Sequence, residues 1–158
     1  MAREVSPAVL RYMAQQKSLT LATTSVDGPW AATLTYVNDG PRVYFWIRPN
    51  SRTARHIDEN PRVAFAIDEY AEDWRQTRGV QGTGACEAVT GEEIARVAAL
   101  FGDKYPDLRP GSTSAVAFYG VEPTVLEFID NTSGVEDGGG FGAEYRRASA
   151  FDLPAFED

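Results

Sequence analysis

Six residues able to bind an oxyanion fall between positions 48 and 56: Arg48, Ser51, Arg52, Thr53, Arg55 and His56. A serine hydroxyl can cap a helix and still donate its proton to a phosphate, and an arginine fork matches phosphate oxygens in pairs. If a helix begins at Ser51, the N–H groups of Arg52 and Thr53 point outward unpaired at the positive end of the dipole. Asn60-Pro61 would end that helix. The same residues also suit a capped surface helix with solvated arginines, and the cluster alone does not choose between the two.

Other chemistries find less support. His56 is the only histidine and Cys86 the only cysteine, so a Ser-His-Asp or Cys-His device would need one or both. No Gly-x-Ser-x-Gly elbow is present, and His56 falls within a helix, where it reads as a surface or packing residue. Asp68, Glu69, Glu72 and Asp73 lack EF-hand spacing and read as a solvated acidic loop. Gly79–Gly84 departs from the dinucleotide pattern and precedes no helix, and the glycines at 138–140 and 142 lack the P-loop lysine. Tyr44, Trp46 and Trp30 could flank a flat ring, although aromatics in strands usually belong to a core.

The elements around the cluster follow from periodicity and turns. Ser6-Pro7 predicts a helix start with Ser as cap, running to about Lys17. Strands are expected at 19–25, 30–37 and 42–48, separated by Val26-Asp27-Gly28 and Asn38-Asp39-Gly40, which makes a three-strand meander. Val43, Phe45 and Ile47 would share one face, Tyr44, Trp46 and Arg48 the other. Arg62–Ile67 is nearly all apolar and reads as a central strand, and Arg78–Val89 as a long strand bent at its glycines. Thr90-Gly91-Glu92-Glu93 predicts a capping box, followed by an apolar stripe of Ile94, Val97, Ala98 and Phe101 and a stop at Gly102. Residues 114–120 and 125–129 read as two last strands joined at Val121-Glu122-Pro123. Residues 131–158 read as a loop-rich tail. Hairpins without crossovers favour an antiparallel barrel.

A length of 158 residues suggests one domain, and 43% hydrophobic with 24% charged residues is ordinary for a soluble globule. No run of about 18 apolar residues predicts a membrane span, and the N-terminal segment lacks a signal-peptide core, so a cytoplasmic location is expected. A single cysteine excludes an intrachain disulfide. The net charge of −8 argues against nucleic acid or anionic membrane as partner.

Taken together, these pieces resemble the split-barrel flavoproteins related to pyridoxamine 5′-phosphate oxidase. The resemblance rests on Leu21-Ala22-Thr23 with Asp27-Gly28, then Tyr44-Phe45-Trp46-Ile47, then Ser51-Arg52-Thr53-Ala54-Arg55, then Asn60-Pro61-Arg62-Val63. A small bacterial subgroup is closer still. It shares Thr-x-Arg-His at 53–56, Arg78-Gly79-Val80-Gln81 with Gly84, and Asp130-Asn131-Thr132 followed by Gly134.

The resemblance implies a mainly β fold, a six-stranded antiparallel split barrel, in a homodimer with FMN at the subunit interface. It implies that Trp46, Ile47 and Arg48 run beside the isoalloxazine ring and that the strand Ala31–Tyr36, with Thr33 and Leu34, passes under it. Asn50, Ser51, Arg52 and Thr53 would hold the phosphate, and Arg78 to Gln81 would reach across from the partner subunit. Many relatives carry lysine where this chain has Thr53. The oxidase's C-terminal Trp/Arg motif has no match, Tyr145-Arg146-Arg147 being the nearest feature, so pyridoxamine phosphate is not the expected substrate. The expectation is an FMN-dependent oxidoreductase acting on some small molecule. The alternatives are a flavin- or haem-binding module without turnover, in which His56 would be the only imidazole ligand, and a reductase using deazaflavin F420.

Overall fold

The computed structural model describes residues 5–108, 116–132 and 147–149. Among these, six antiparallel strands close a barrel: β1 Ser18–Ser25, β2 Gly28–Asp39, β3 Arg42–Ile47, β4 Arg62–Asp68, β5 Arg78–Ala88 and β6 Ala117–Asp130. They lie in the order β3-β2-β1-β4-β5-β6, and pairing of β3 with β6 completes the ring. A short strand β7, Arg147–Ser149, extends the other half of β6. Three helices accompany them: α1 Pro7–Gln15, α2 Arg52–Glu59 and α3 Glu93–Lys104.

The expected meander of β1, β2 and β3 is present. Its turns use Gly28 and Gly40 at positive φ (98° and 57°), where a side chain would be strained. The alternation of β3 is also as expected. Val43, Phe45 and Ile47 face the barrel core, and Tyr44 and Trp46 face a second cluster with Val97 and Phe101 of α3. α1 closes the core at one end with Val9, Tyr12 and Met13, and the Tyr36 hydroxyl donates to the Met13 carbonyl.

Several local expectations give way to tertiary contacts. Ser6 makes no side-chain cap and its hydroxyl is buried without a partner, while α1 ends at Gln15. The capping box at Thr90 does not form, because Glu93 instead accepts from the Tyr44 hydroxyl at 2.8 Å. The stripe of α3 is Val97, Leu100 and Phe101, with Ile94 and Ala98 exposed, and the helix passes through Gly102 to Lys104. No break falls at Val121-Glu122-Pro123. β6 is continuous, and the proline is accommodated where the register with β5 shifts between Thr83 and Gly84. A Cβ on Gly84 would lie 2.2 Å from the Glu122 carbonyl oxygen, so the backbones approach too closely there for any side chain. β4 is buried on one face only, because Ala64 and Ala66 face outward. Of the expected tail, the glycine run lies outside the described residues, and 147–149 form β7.

Candidate functional site

The ladder between β2 and β3 holds only from Tyr36–Phe45 to Asp39–Arg42. Beyond it the strands part. β3 continues against β6 through Ile47–Ala117, and β2 continues against β1 as far as Gly28. Among the described residues no strand covers the outer edge of β2 from 28 to 35, so its amides and carbonyls are left for another partner. α2 starts beside this opening.

The start of α2 has the expected geometry. Ser51 Oγ accepts from the Ala54 amide at 3.2 Å, and the Ser51 carbonyl accepts from Arg55 at 3.1 Å. The Ser51 hydroxyl proton and the amides of Arg52 and Thr53 precede the first helical bond and remain available to an anion. The turn before it is tied by Ser51 N–H donating to the Arg48 carbonyl at 3.0 Å, and Arg48 and Asn50 are exposed.

Trp30 of β2 joins this helix start. Its indole N–H donates to Thr53 Oγ1 at 3.3 Å, and the Arg52 guanidinium lies 4.4 Å from the centre of its ring. Cation–π contact and an indole hydrogen bond therefore link the free part of β2 to the first turn of α2. Thr53 is buried and engaged by Trp30, leaving Arg52 as the cation at the helix start. His56, one turn on, is 1% exposed. It is a packing histidine, with Nδ1 3.1 Å from Thr23 Oγ1 of β1 and Nε2 accepting from Arg52 Nε at 3.5 Å.

The remaining expected site residues fall in two groups. Thr33, on the exposed face of β2, and Leu34, packed toward the core, lie on the uncovered part of the strand. The side chains of Trp46 and Ile47 are committed to the α3 cluster and the barrel core, so only their backbone can border the opening. Arg78 and Gln81 are not brought to this site within one chain. Arg78 is paired to Glu69 at 2.8 Å and lies over the Tyr12 ring, near α1. Gln81 sits on the outer wall of the barrel, where Thr20, Ala22, Ala64, Ala66 and Thr83 help line a cleft of about 380 Å³.

The sequence offers Trp30 only as an aromatic that could flank a flat ring, and does not single out Thr23 as a site residue. No local signal ties either of them to α2, because each meets that helix only through folding. Asn131 proves structural: it is buried, and its side chain donates to the Trp74 carbonyl at 3.0 Å. Burial pushes the Cys86 thiol up to about 12, which removes it as a nucleophile. No group of metal-ligating residues occurs among the described residues, and no helix there is long and apolar enough to cross a membrane.

Comparison with known proteins agrees with this fold. Residues 5–127 match the model of the pyridoxamine 5′-phosphate oxidase family. A protein named UPF0306 from Klebsiella pneumoniae (strain 342) is 28% identical over 134 residues, covering 83% of this chain and 88% of that one. HutZ, the haem storage protein from Vibrio cholerae, superposes with a TM-score of 0.67 at 20% identity, over 78% of this chain and 93% of that one. A haem-binding protein from Mycobacterium smegmatis does so at 0.70 and 21% identity, over 95% of this chain and 60% of that one. At these identities the structural likeness speaks for the fold.

Proposed function

The chain belongs to the pyridoxamine 5′-phosphate oxidase family, and from that premise we propose that it is a cytoplasmic FMN-binding protein, a flavin-dependent oxidoreductase acting on a small organic molecule. The observation that carries this reading is the coincidence of three features. An uncovered strand edge on β2, a helix start capped by Ser51, and an Arg52 held on Trp30 all lie together. The uracil-like edge of a flavin needs both donors and acceptors, which a free strand edge supplies, and its phosphate needs the helix start. Ser51 Oγ, the amides of Arg52 and Thr53, and the Arg52 fork would hold the phosphate, with Asn50 beside them. The backbone of Thr33 and Leu34, and of Trp46 to Arg48, would border the ring. When bound, the flavin supplies a two-electron acceptor, and the protein orients it and limits access of water.

The outer wall of β1, β4, β5 and β6 supports the homodimer. Small side chains (Ala22, Ala64, Ala66) allow a second barrel to approach closely, and Val125 is 49% exposed beside them. Packed this way, the partner would bring its own copies of Gln81 and Arg78 toward the flavin.

Haem binding is the second reading, favoured by the neighbours that carry haem-related names. His56 is poorly suited as its axial ligand here, since it is buried with both ring nitrogens engaged. An F420 reductase would need a wider basic channel than the exposed Arg48 and Arg55 offer.

Titration of the purified protein with FMN and with riboflavin tests the leading reading. FMN is expected to bind more tightly. Combined Ser51→Ala and Arg52→Ala should weaken FMN by several kcal/mol, at roughly 1.5–3 kcal/mol per charge-assisted bond, and leave riboflavin nearly unchanged. A protein that binds neither ligand would sink the proposal. A Soret band on haem addition that is lost in His56→Ala would favour the second reading.

A further inference from the structure

Arg52 is restrained from two sides. Trp30 lies against the face of its guanidinium, and Nε donates to His56 Nε2. Arginine can only donate, so His56 Nε2 must be its unprotonated nitrogen. The ring proton therefore sits on Nδ1, 3.1 Å from Thr23 Oγ1. Thr23, 3% exposed on β1, fixes the imidazole, and the imidazole fixes the arginine one helical turn away. With Nε occupied, the terminal edge of the guanidinium remains for a bidentate pair with an oxyanion. A flexible arginine would lose rotamer freedom on binding, and this arrangement removes much of that cost in advance.

We propose that His56 is a positioning residue, which holds Arg52 in the conformation that receives a phosphate. The proposal rests on the FMN reading for the identity of the phosphate, but not for the existence of the relay. Thr23 and His56 come from different elements, and neither touches the ligand. Their effect on binding passes entirely through Arg52.

Two measurements on the full chain test it. The first needs no ligand. Since His56 is the only histidine, long-range proton–nitrogen correlation reads its tautomer without ambiguity. The Nδ1-protonated form is expected, together with an Arg52 Nε–H resonance that is slow to exchange. His56→Leu should make that resonance exchange rapidly, and His56→Gln, which keeps an acceptor, should restore it. An Nε2-protonated ring, or an Arg52 resonance indifferent to His56→Leu, overturns the proposal.

The second measurement is binding. His56→Leu should weaken FMN about tenfold and leave riboflavin unchanged, His56→Gln should recover most of the loss, and His56→Leu should add nothing in an Arg52→Ala background. Independent, additive losses overturn the proposal. If wild-type protein ignores FMN while the first measurement gives the expected tautomer and exchange, the cofactor reading fails and the relay stands.

Discussion

Arg52, His56 and Lys104 show how burial and partners assign different tasks to basic side chains. Arg52 has a ring on one side and an acceptor on the other. Lys104 has two rings and no acceptor. Its Nζ is buried without a hydrogen bond, 4.1 Å from the Tyr36 ring centre and 5.6 Å from that of Tyr105. Burial, with Lys17 nearby, pulls it from 10.5 down to about 8. Because its folded value is depressed, the unfolded chain binds more protons between pH 8 and 10.5, and stability from this group rises with pH across that window. Lys104→Met is therefore expected to stabilise the protein at pH 7 by roughly 1–2 kcal/mol, after allowing for the lost cation–π contact. The gain should shrink as pH approaches 10. Denaturant melts of the two proteins, compared at each pH, isolate this effect from the opposing contributions of Cys86 and the buried tyrosines. A pH-independent difference would rule out the electrostatic explanation.

Among the elements, strands were more legible than helix ends. β1, β2 and β3 follow from alternation and glycine turns, which are local. The capping box at Thr90 fails because Glu93 finds partners in Tyr44, distant in the sequence, and in Arg96 one helical turn on. Pro123 predicts a break in β6, since proline normally stops a strand, and only the register shift opposite Gly84 makes room for it. That close approach predicts an outcome. Gly84→Ala places a methyl group against the Glu122 carbonyl, and is expected to lower stability by at least about 1–3 kcal/mol. Thermal melting beside Gly102→Ala, a position with open space around it, checks this. Equal melting temperatures would show that the bulge relaxes freely.

In the whole molecule, the candidate site sits where the barrel splits, and its expected second half is missing from one chain. Arg78 and Gln81 lie on β5, separated from α2 by β4 and β1 in the sheet. A homodimer through the small-residue wall would supply them. If that dimer forms, Ala66→Arg, on the same wall, should convert it to a monomer in light scattering and reduce FMN affinity while leaving the circular dichroism spectrum unchanged. A wild-type monomer that binds FMN tightly would remove the partner subunit from the site.

The sequence alone determined the class of fold, the helix beginning at Ser51 and its stop at Asn60-Pro61, since capping, turn and alternation rules act over a few residues. It also singled out Ser51, Arg52 and Thr53, whose chemistry is local to one helix start. Tertiary structure decided which strands meet, and with that the opening between β2 and β3. It brought Trp30 to Arg52, buried His56 against Thr23, and sent Arg78 to Glu69 instead. The first two contacts depend on chain closure over tens of residues and the third on a turn spanning nine, and no short-range preference encodes them.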